Sequence, residues 1–169
     1  MSAAKVRAAR PADIDELAET AISAWRKGFR GIVPDRIDPG RAWRPERIEE
    51  RLENPGDGIE VLAADLDGRV RGMLMLGPSR DRGAPASEGE VVALYVHADH
   101  WRQGIGRDLV VHATERLCAQ GHAEAIVWTL AESPRNLEFY ESLGFDPDGG
   151  EQRRPSFGSP LELRFRMRL

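Results

Sequence analysis

The 169 residues read as a single α/β (α+β) domain, residues 1–169, built on a mixed, mostly antiparallel sheet with helices on both faces. Three observations predict it. Leu161, Leu163, Phe165, Met167 and Leu169 alternate with Glu162, Arg164, Arg166 and Arg168, the period of a half-buried strand. Glu90-Val91-Val92-Ala93-Leu94-Tyr95-Val96 is an apolar, β-branched run that suits a strand buried on both faces. Elsewhere, helical and strand-like spacings succeed each other in the order β-α-α-β-β-β-α-β-α-β-β.

Composition narrows the class. At 41% hydrophobic and 31% charged residues, the chain is globular rather than disordered. A net charge of −4 leaves no electrostatic footprint for nucleic acid. One cysteine, Cys118, excludes an internal disulfide and fits a reducing cytoplasm; alone on a helix, it reads as a small buried hydrophobe. No apolar run has the length of a membrane span, and Met1 to Lys5 lacks the apolar core of a signal peptide. The histidines show no metal-ligand spacing, so no metal is expected.

Taken in order, Val6 and Ala8 alternate with Lys5, Arg7 and Arg10 as a first strand near a sheet edge. Asp13 and Glu16 have capping-box spacing, and Ile14, Leu17, Ala18, Ala21, Ile22 and Trp25 continue as a helix to Gly28. Phe29 to Pro34 is an apolar loop, a kind of segment that often carries function. Asp38 to Arg44 reads as a polar connection. Pro45 opens a short helix through Ile48 and Leu52 that ends at Asn54-Pro55-Gly56. Ile59, Val61 and Ala63 form a strand, Asp65-Leu66-Asp67-Gly68 a hairpin turn, and Val70 to Leu76 the returning strand. Gly77 to Gly89 reads as a long surface loop able to border a cleft.

The strand at Glu90 leads through a Gly-rich turn into a helix carrying Ile105, Leu109, Val110, Ala113 and Leu117. Ala125 to Leu130 is a second buried strand, parallel to it through a right-handed crossover. Ser133 caps, and Pro134 opens, a helix with Leu137, Phe139, Tyr140 and Leu143 on one face, stopped by Gly144. Phe145 starts a strand, Gly149 to Pro160 is turn-rich, and the alternating strand closes the chain. Its Arg164, Arg166 and Arg168 face reads as solvated. Its exposed edge or neighbouring loop offers a seam for a homodimer.

Strand, glycine turn and helix together make an anion site. The first amides of a helix lack internal partners and carry partial positive charge. Gly104 and Gly106 let an anion approach the backbone, and Arg102 and Arg107 add charge. The same glycines would also serve a plain turn. No Lys-Ser or Lys-Thr pair exists for the phosphate loop of nucleotide hydrolases. Leu109 stands where a dinucleotide fingerprint has its third glycine.

Glu90-x-x-x-Leu94-Tyr95-Val96, followed by Gln103-Gly104-Ile105-Gly106-Arg107-x-Leu109, resembles the acetyl-CoA motif of the GNAT superfamily of N-acetyltransferases. Phe139-Tyr140-Glu141-Ser142-Leu143-Gly144-Phe145 resembles that superfamily's C-terminal signature. The resemblance covers nearly the whole chain and is specific from Glu90 to Phe145. It implies direct transfer of acetyl from acetyl-CoA to an amine of a small molecule or peptide. The two central parallel strands are then expected to splay, with the backbone of Leu94, Tyr95 and Val96 bonding the pantetheine arm. Arg102, Gln103, Gly104, Ile105, Gly106 and Arg107 would hold the pyrophosphate. The N–H of Val96 or its neighbour would face the oxyanion.

The chemistry needs a neutral amine, oxyanion donors and a proton for the leaving thiolate. Glu90 is the candidate base, with burial expected to raise its pKa; Glu88, on the same face, competes. Tyr140 is the candidate acid. Trp101 stands where the family commonly has Gln or Arg, with Arg102 adjacent. Ser133 stands where it commonly has a cofactor-binding Asn, and Asn136 is the alternative. Trp25, Phe29, Ile32 and Val33 either wall the acceptor pocket or cap the core edge. Glu88, Glu90 and Glu132 would favour a cationic amine. A CoA-binding sensor without turnover is the alternative function, disfavoured by the presence of both Glu90 and Tyr140.

Overall fold

A computed structural model describes residues 3–169; Met1 and Ser2, which open the segment read above for a leader, lie outside them. The strands are β1 (Lys5–Ala8), β2 (Glu60–Leu66), β3 (Arg69–Pro78), β4 (Glu88–Val96), β5 (Glu124–Leu130), β6 (Asp146–Arg153) and β7 (Leu161–Arg168). The helices are α1 (Ile14–Gly28), α2 (Pro39–Ala42), α3 (Pro45–Glu53), α4 (Ile105–Ala119) and α5 (Pro134–Ser142). One sheet runs β1-β2-β3-β4-β5-β7-β6. Among the described residues only β4 and β5 pair in parallel. No helix among the described residues is long and apolar enough to cross a membrane.

Two cores lie on opposite faces of this sheet. On one, Ile105, Leu109, Ala113 and Leu117 of α4 pack on Leu74, Leu76 and Val91. Gly72 makes that approach possible, because a Cβ there would lie 2.8 Å from both Ile105 and Leu109. On the other face, Leu17, Ala21 and Trp25 of α1, with Ile48 of α3, cover Ala63, Met73 and Tyr95. The β2–β3 hairpin turns through Asp67 and Gly68, both at positive φ (52° and 82°), as a two-residue turn requires.

Several elements depart from the sequence reading. The Asp13–Glu16 capping box does not form. Arg7 instead draws the Asp13 carboxylate into an ion pair at 2.7 Å, which also accepts from the Arg10 amide at 2.7 Å. Glu16 reaches across to the Val70 amide. The connection at Asp38 contains the one-turn α2, because the Asp38 carboxylate caps Gly40 N–H at 2.9 Å. The predicted 77–89 loop is shorter, since β3 runs on to Pro78 and β4 begins at Glu88.

The turn-rich stretch after Gly149 is partly strand. β6 crosses Gly149-Gly150 through a register shift between Pro147 and Glu151 and continues to Arg153. The strand with the clearest alternation, β7, is not an edge but lies between β5 and β6, so it offers no free seam for a second copy. Of its cationic face, Arg168 is exposed as expected, but Arg164 and Arg166 are ion-paired rather than solvated. Arg166 pairs with Glu88 and Glu124 at 2.7 Å, and Arg164 with Asp81 at 2.9 Å and Asp148 at 2.8 Å. Cys118 is exposed rather than buried; the buried face of α4 is taken by Leu117 and Ala113.

Candidate active site

β4 is the element on which the site depends. Its parallel pairing with β5 runs only from Glu88↔Glu124 to Val91↔Val127, although both strands continue. The two strands therefore part beyond Val91. The β4 backbone is assigned by alternation. His97 N–H donates to the Arg71 carbonyl across β3 at 2.9 Å. In an antiparallel ladder every second residue bonds the same neighbour, so Tyr95 also faces β3, whereas Leu94 and Val96 turn their N–H groups into the gap. Of the three backbones expected to bond the cofactor arm, Leu94 and Val96 point their N–H groups to the unpaired side of β4, whereas that of Tyr95 is directed to β3. Its side chain lies instead against Trp43, with ring centroids 4.9 Å apart.

The gap opens into a cleft of about 1050 Å³ lined by residues of α1, α2, α3, β4, β5 and α5, among them Leu94, Asn136 and Tyr140. Tyr140 is buried, and no described residue hydrogen-bonds its hydroxyl. Burial pushes that phenol above its usual value, so it stays protonated. Asn136 lines the cleft, whereas Ser133 is buried outside that lining and makes no side-chain cap bond. Its carbonyl instead accepts from Asn136 N–H at 3.0 Å. Trp25 and Phe29 line the cleft and stack edge to face at 4.7 Å, with Phe157 4.6 Å from Trp25. Val33 is packed in the core behind them, and neither it nor Ile32 reaches the lining.

Glu90 is almost wholly buried, at 1% exposure. Its carboxylate accepts from the Arg80 amide at 2.9 Å and from the Arg80 guanidinium at 2.9 and 3.3 Å. Arg80 lines the cleft, and Glu90 sits directly behind it. Glu88 is engaged by Arg166. The expected acidic cleft is thus corrected: arginines cover both strand carboxylates, and Glu132 is not part of the lining. The buried Glu162 of β7 does line the cleft, held by Arg154 at 3.0 Å and Gln152 at 2.7 Å.

The predicted phosphate turn stands at the start of α4. Gly104 is its N-cap, at φ 86°, and offers no capping side chain. The first intrahelical bond there runs from Asp108 N–H to the Gly104 carbonyl. The amides of Ile105, Gly106 and Arg107 are therefore left free. Nothing lies within 4 Å of where a Gly104 side chain would project. Arg102, Gln103 and Arg107 are exposed around this turn, while the Ile105 side chain is buried in the core and only its backbone is available. These free amides fit a pyrophosphate. Trp101, the departure from the family pattern, donates its indole N–H to the Val96 carbonyl at 2.7 Å and is stacked by Arg135 at 3.9 Å.

Residues 19–145 match the Acetyltransferase (GNAT) family. The chain belongs to that family. As a GNAT protein it is an N-acetyltransferase that uses acetyl-CoA. Two curated relatives agree. Probable N-acetyltransferase Rv2775 of Mycobacterium tuberculosis is 30% identical over 149 residues, which is 86% of this chain and 81% of that one. Uncharacterized N-acetyltransferase YuaI of Bacillus subtilis is 28% identical over 137 residues, covering 81% of this chain and 77% of that one. The GNAT fold is matched by the PaiA N-acetyltransferase of Thermoplasma acidophilum in complex with coenzyme A. That structure has a TM-score of 0.79 at 20% identity and covers 97% of this chain and 98% of its own.

Sequence reasoning missed Arg80, Trp43, Arg154 and Glu162, whose place in the cleft depends on long-range packing. One signal was available: five arginines fall between residues 36 and 51.

Proposed function

We propose that this enzyme transfers acetyl directly to the primary amine of a small molecule or peptide, in the cytoplasm, with Glu90 as base and Tyr140 as acid. The observation that carries this reading is the parting of β4 and β5. It leaves β4 without a β5 partner from Val92 to Val96, and Leu94 on that stretch lines the cleft that Tyr140 also lines.

Acetyl-CoA, when bound, supplies the acetyl thioester. The Leu94 and Val96 amides and the free amides of Ile105, Gly106 and Arg107 are the groups that would hold it, with Asn136 beside the arm. Val96 N–H is a donor aimed into the gap, where negative charge develops on the acyl oxygen. Tyr140 gives its proton to the departing sulfur, a role suited to a phenol that burial keeps neutral. Glu90 receives the amine's proton through water, with Arg80 fixing the carboxylate between turnovers.

The test is release of CoA from acetyl-CoA across a panel of amines, with Glu90→Gln and Tyr140→Phe beside the wild type. Glu90→Gln should lower turnover while CoA binding changes little, and unchanged turnover reassigns the base. A CoA-binding sensor without turnover would bind the cofactor and release no CoA from acetyl-CoA, whichever amine is supplied.

A further inference from the structure

The chain carries a net charge of −4, yet its cleft is cationic. Seven of the lining residues are arginines and three are carboxylates. Some of this charge is internally matched: Arg80 is paired with Glu90, Arg154 with Glu162 and Arg51 with Asp57. What remains is concentrated on one wall. Arg36, Arg41, Arg44 and Arg47, on α2, α3 and the turns beside them, form no ion pair with any described residue. Of the two acids on that wall, Asp38 caps α2 through Gly40 N–H and Glu50 of α3 is unpaired among the described residues, so the four guanidinium groups still leave an excess of positive charge.

A second, independent observation falls on the same wall. Trp43 lines the cleft, and its indole Nε1 is buried beside the Tyr95 side chain without a hydrogen bond of good geometry. An indole N–H is a donor only, and leaving it buried and poorly bonded is costly. Unmatched guanidinium groups and a poorly bonded donor call for the same complement, an oxygen acceptor bearing negative charge.

The cofactor's phosphates do not supply that complement. The free amides that suit them open α4, which packs on one face of the sheet, whereas α3 and Trp43 belong to the core on the other face. The anion must therefore arrive with the acceptor.

Resting on the acetyl-transfer reading above, we propose that the acceptor is a small amine that also carries an oxyanion, in the manner of an amino acid, and that Trp43 and the arginines at 36–47 bind this group. The positive wall concentrates such a substrate in the cleft and disfavours polyamines, which would meet like charge. Orientation follows too. With its anionic end on the α2–α3 wall, the substrate turns its amine toward β4 and Tyr140.

The experiment compares matched acceptors in the CoA-release assay: methionine and glutamine against their α-methyl esters or amides, O-phosphoethanolamine against ethanolamine, and spermidine. The expected result is a kcat/KM at least about tenfold higher for the anionic member of a pair, carried mainly by KM. The amino-acid and phosphate arms distinguish a carboxylate from a phosphate ester. In Arg44→Ala, Arg47→Ala and Trp43→Phe the anionic-to-neutral ratio should fall toward one. Arg44→Lys should restore part of it, and Glu46→Gln, outside the lining, should leave it intact.

Equal rates for paired acceptors, or preference for spermidine, overturn this inference while leaving acetyl transfer standing. If no amine releases CoA, acetyl transfer itself fails. The wall is then judged by calorimetry of glutamate and O-phosphoethanolamine with the CoA-loaded protein, where absence of binding overturns it.

Discussion

Tyr140 shows how position changes the properties of an ordinary side chain. Its phenol is placed by one turn of α5 into a buried cleft, and burial raises its pKa. Tyr140→Phe removes only the proton donor, so turnover should drop by about 100-fold or more while the dissociation constant for CoA changes little; equal turnover in the variant would remove the assignment. The raised pKa also sets a sign. The contribution to stability is complete below the ordinary phenol value and declines as pH rises beyond about 10. Urea midpoints at pH 9 and pH 11 should therefore differ more in the wild type than in Tyr140→Phe. Glu90 differs in kind, because its three donors from Arg80 make it a positioned carboxylate rather than a free one.

At the scale of elements, two junctions hold the sheet to its helices. The first is Arg7 of β1 with Asp13, just before α1. The Arg7 guanidinium keeps the Asp13 carboxyl below its usual range, outweighing the opposing effect of burial. The stabilisation is present above the unfolded value of about 4 and is lost as pH falls through the folded one. Asp13→Asn should cost about 1–3 kcal/mol near neutrality, and its melting temperature should converge on the wild type's as the medium is acidified. The second junction is Gly72, where β3 meets α4. An added methyl would meet Ile105, Leu109 and Ala64 at 3.0 Å or less. Gly72→Ala should therefore lose about 1–3 kcal/mol by overpacking, read from denaturant unfolding; no loss would mean that α4 can slide to accommodate it.

For the molecule as a whole, the decisive feature is a sheet that is continuous at one end and parted at the other. β4 and β5 are joined up to Val91, and beyond it they are unpaired. Binding acetyl-CoA or CoA at 100 times the dissociation constant should add about 2.7 kcal/mol, a rise in melting temperature of about 5–10 °C. NAD and ATP should give none, and a shift with either instead would transfer the Gly104 turn to nucleotide binding.

Most elements were legible because their signals are local. Helical spacing marks α1 and α4, strict alternation marks β7, and Gly104 with Gly106 marks a turn that leaves amides free. The family could be read from Glu90 to Phe145 for the same reason: the motif residues lie close together in the chain. Tertiary structure decided what depends on distant partners. It set β7 inside the sheet rather than at its edge, because β6 returns along its far side. It gave Glu88 and Glu90 to arginines 78 and 10 residues away, reversing the expected charge of the cleft. It also chose Asn136 over Ser133 for the lining and left the Trp43 indole without a hydrogen bond of good geometry. Periodicity reports which face of an element is buried, but not against which residue, and the chemistry of this cleft is fixed by those partners.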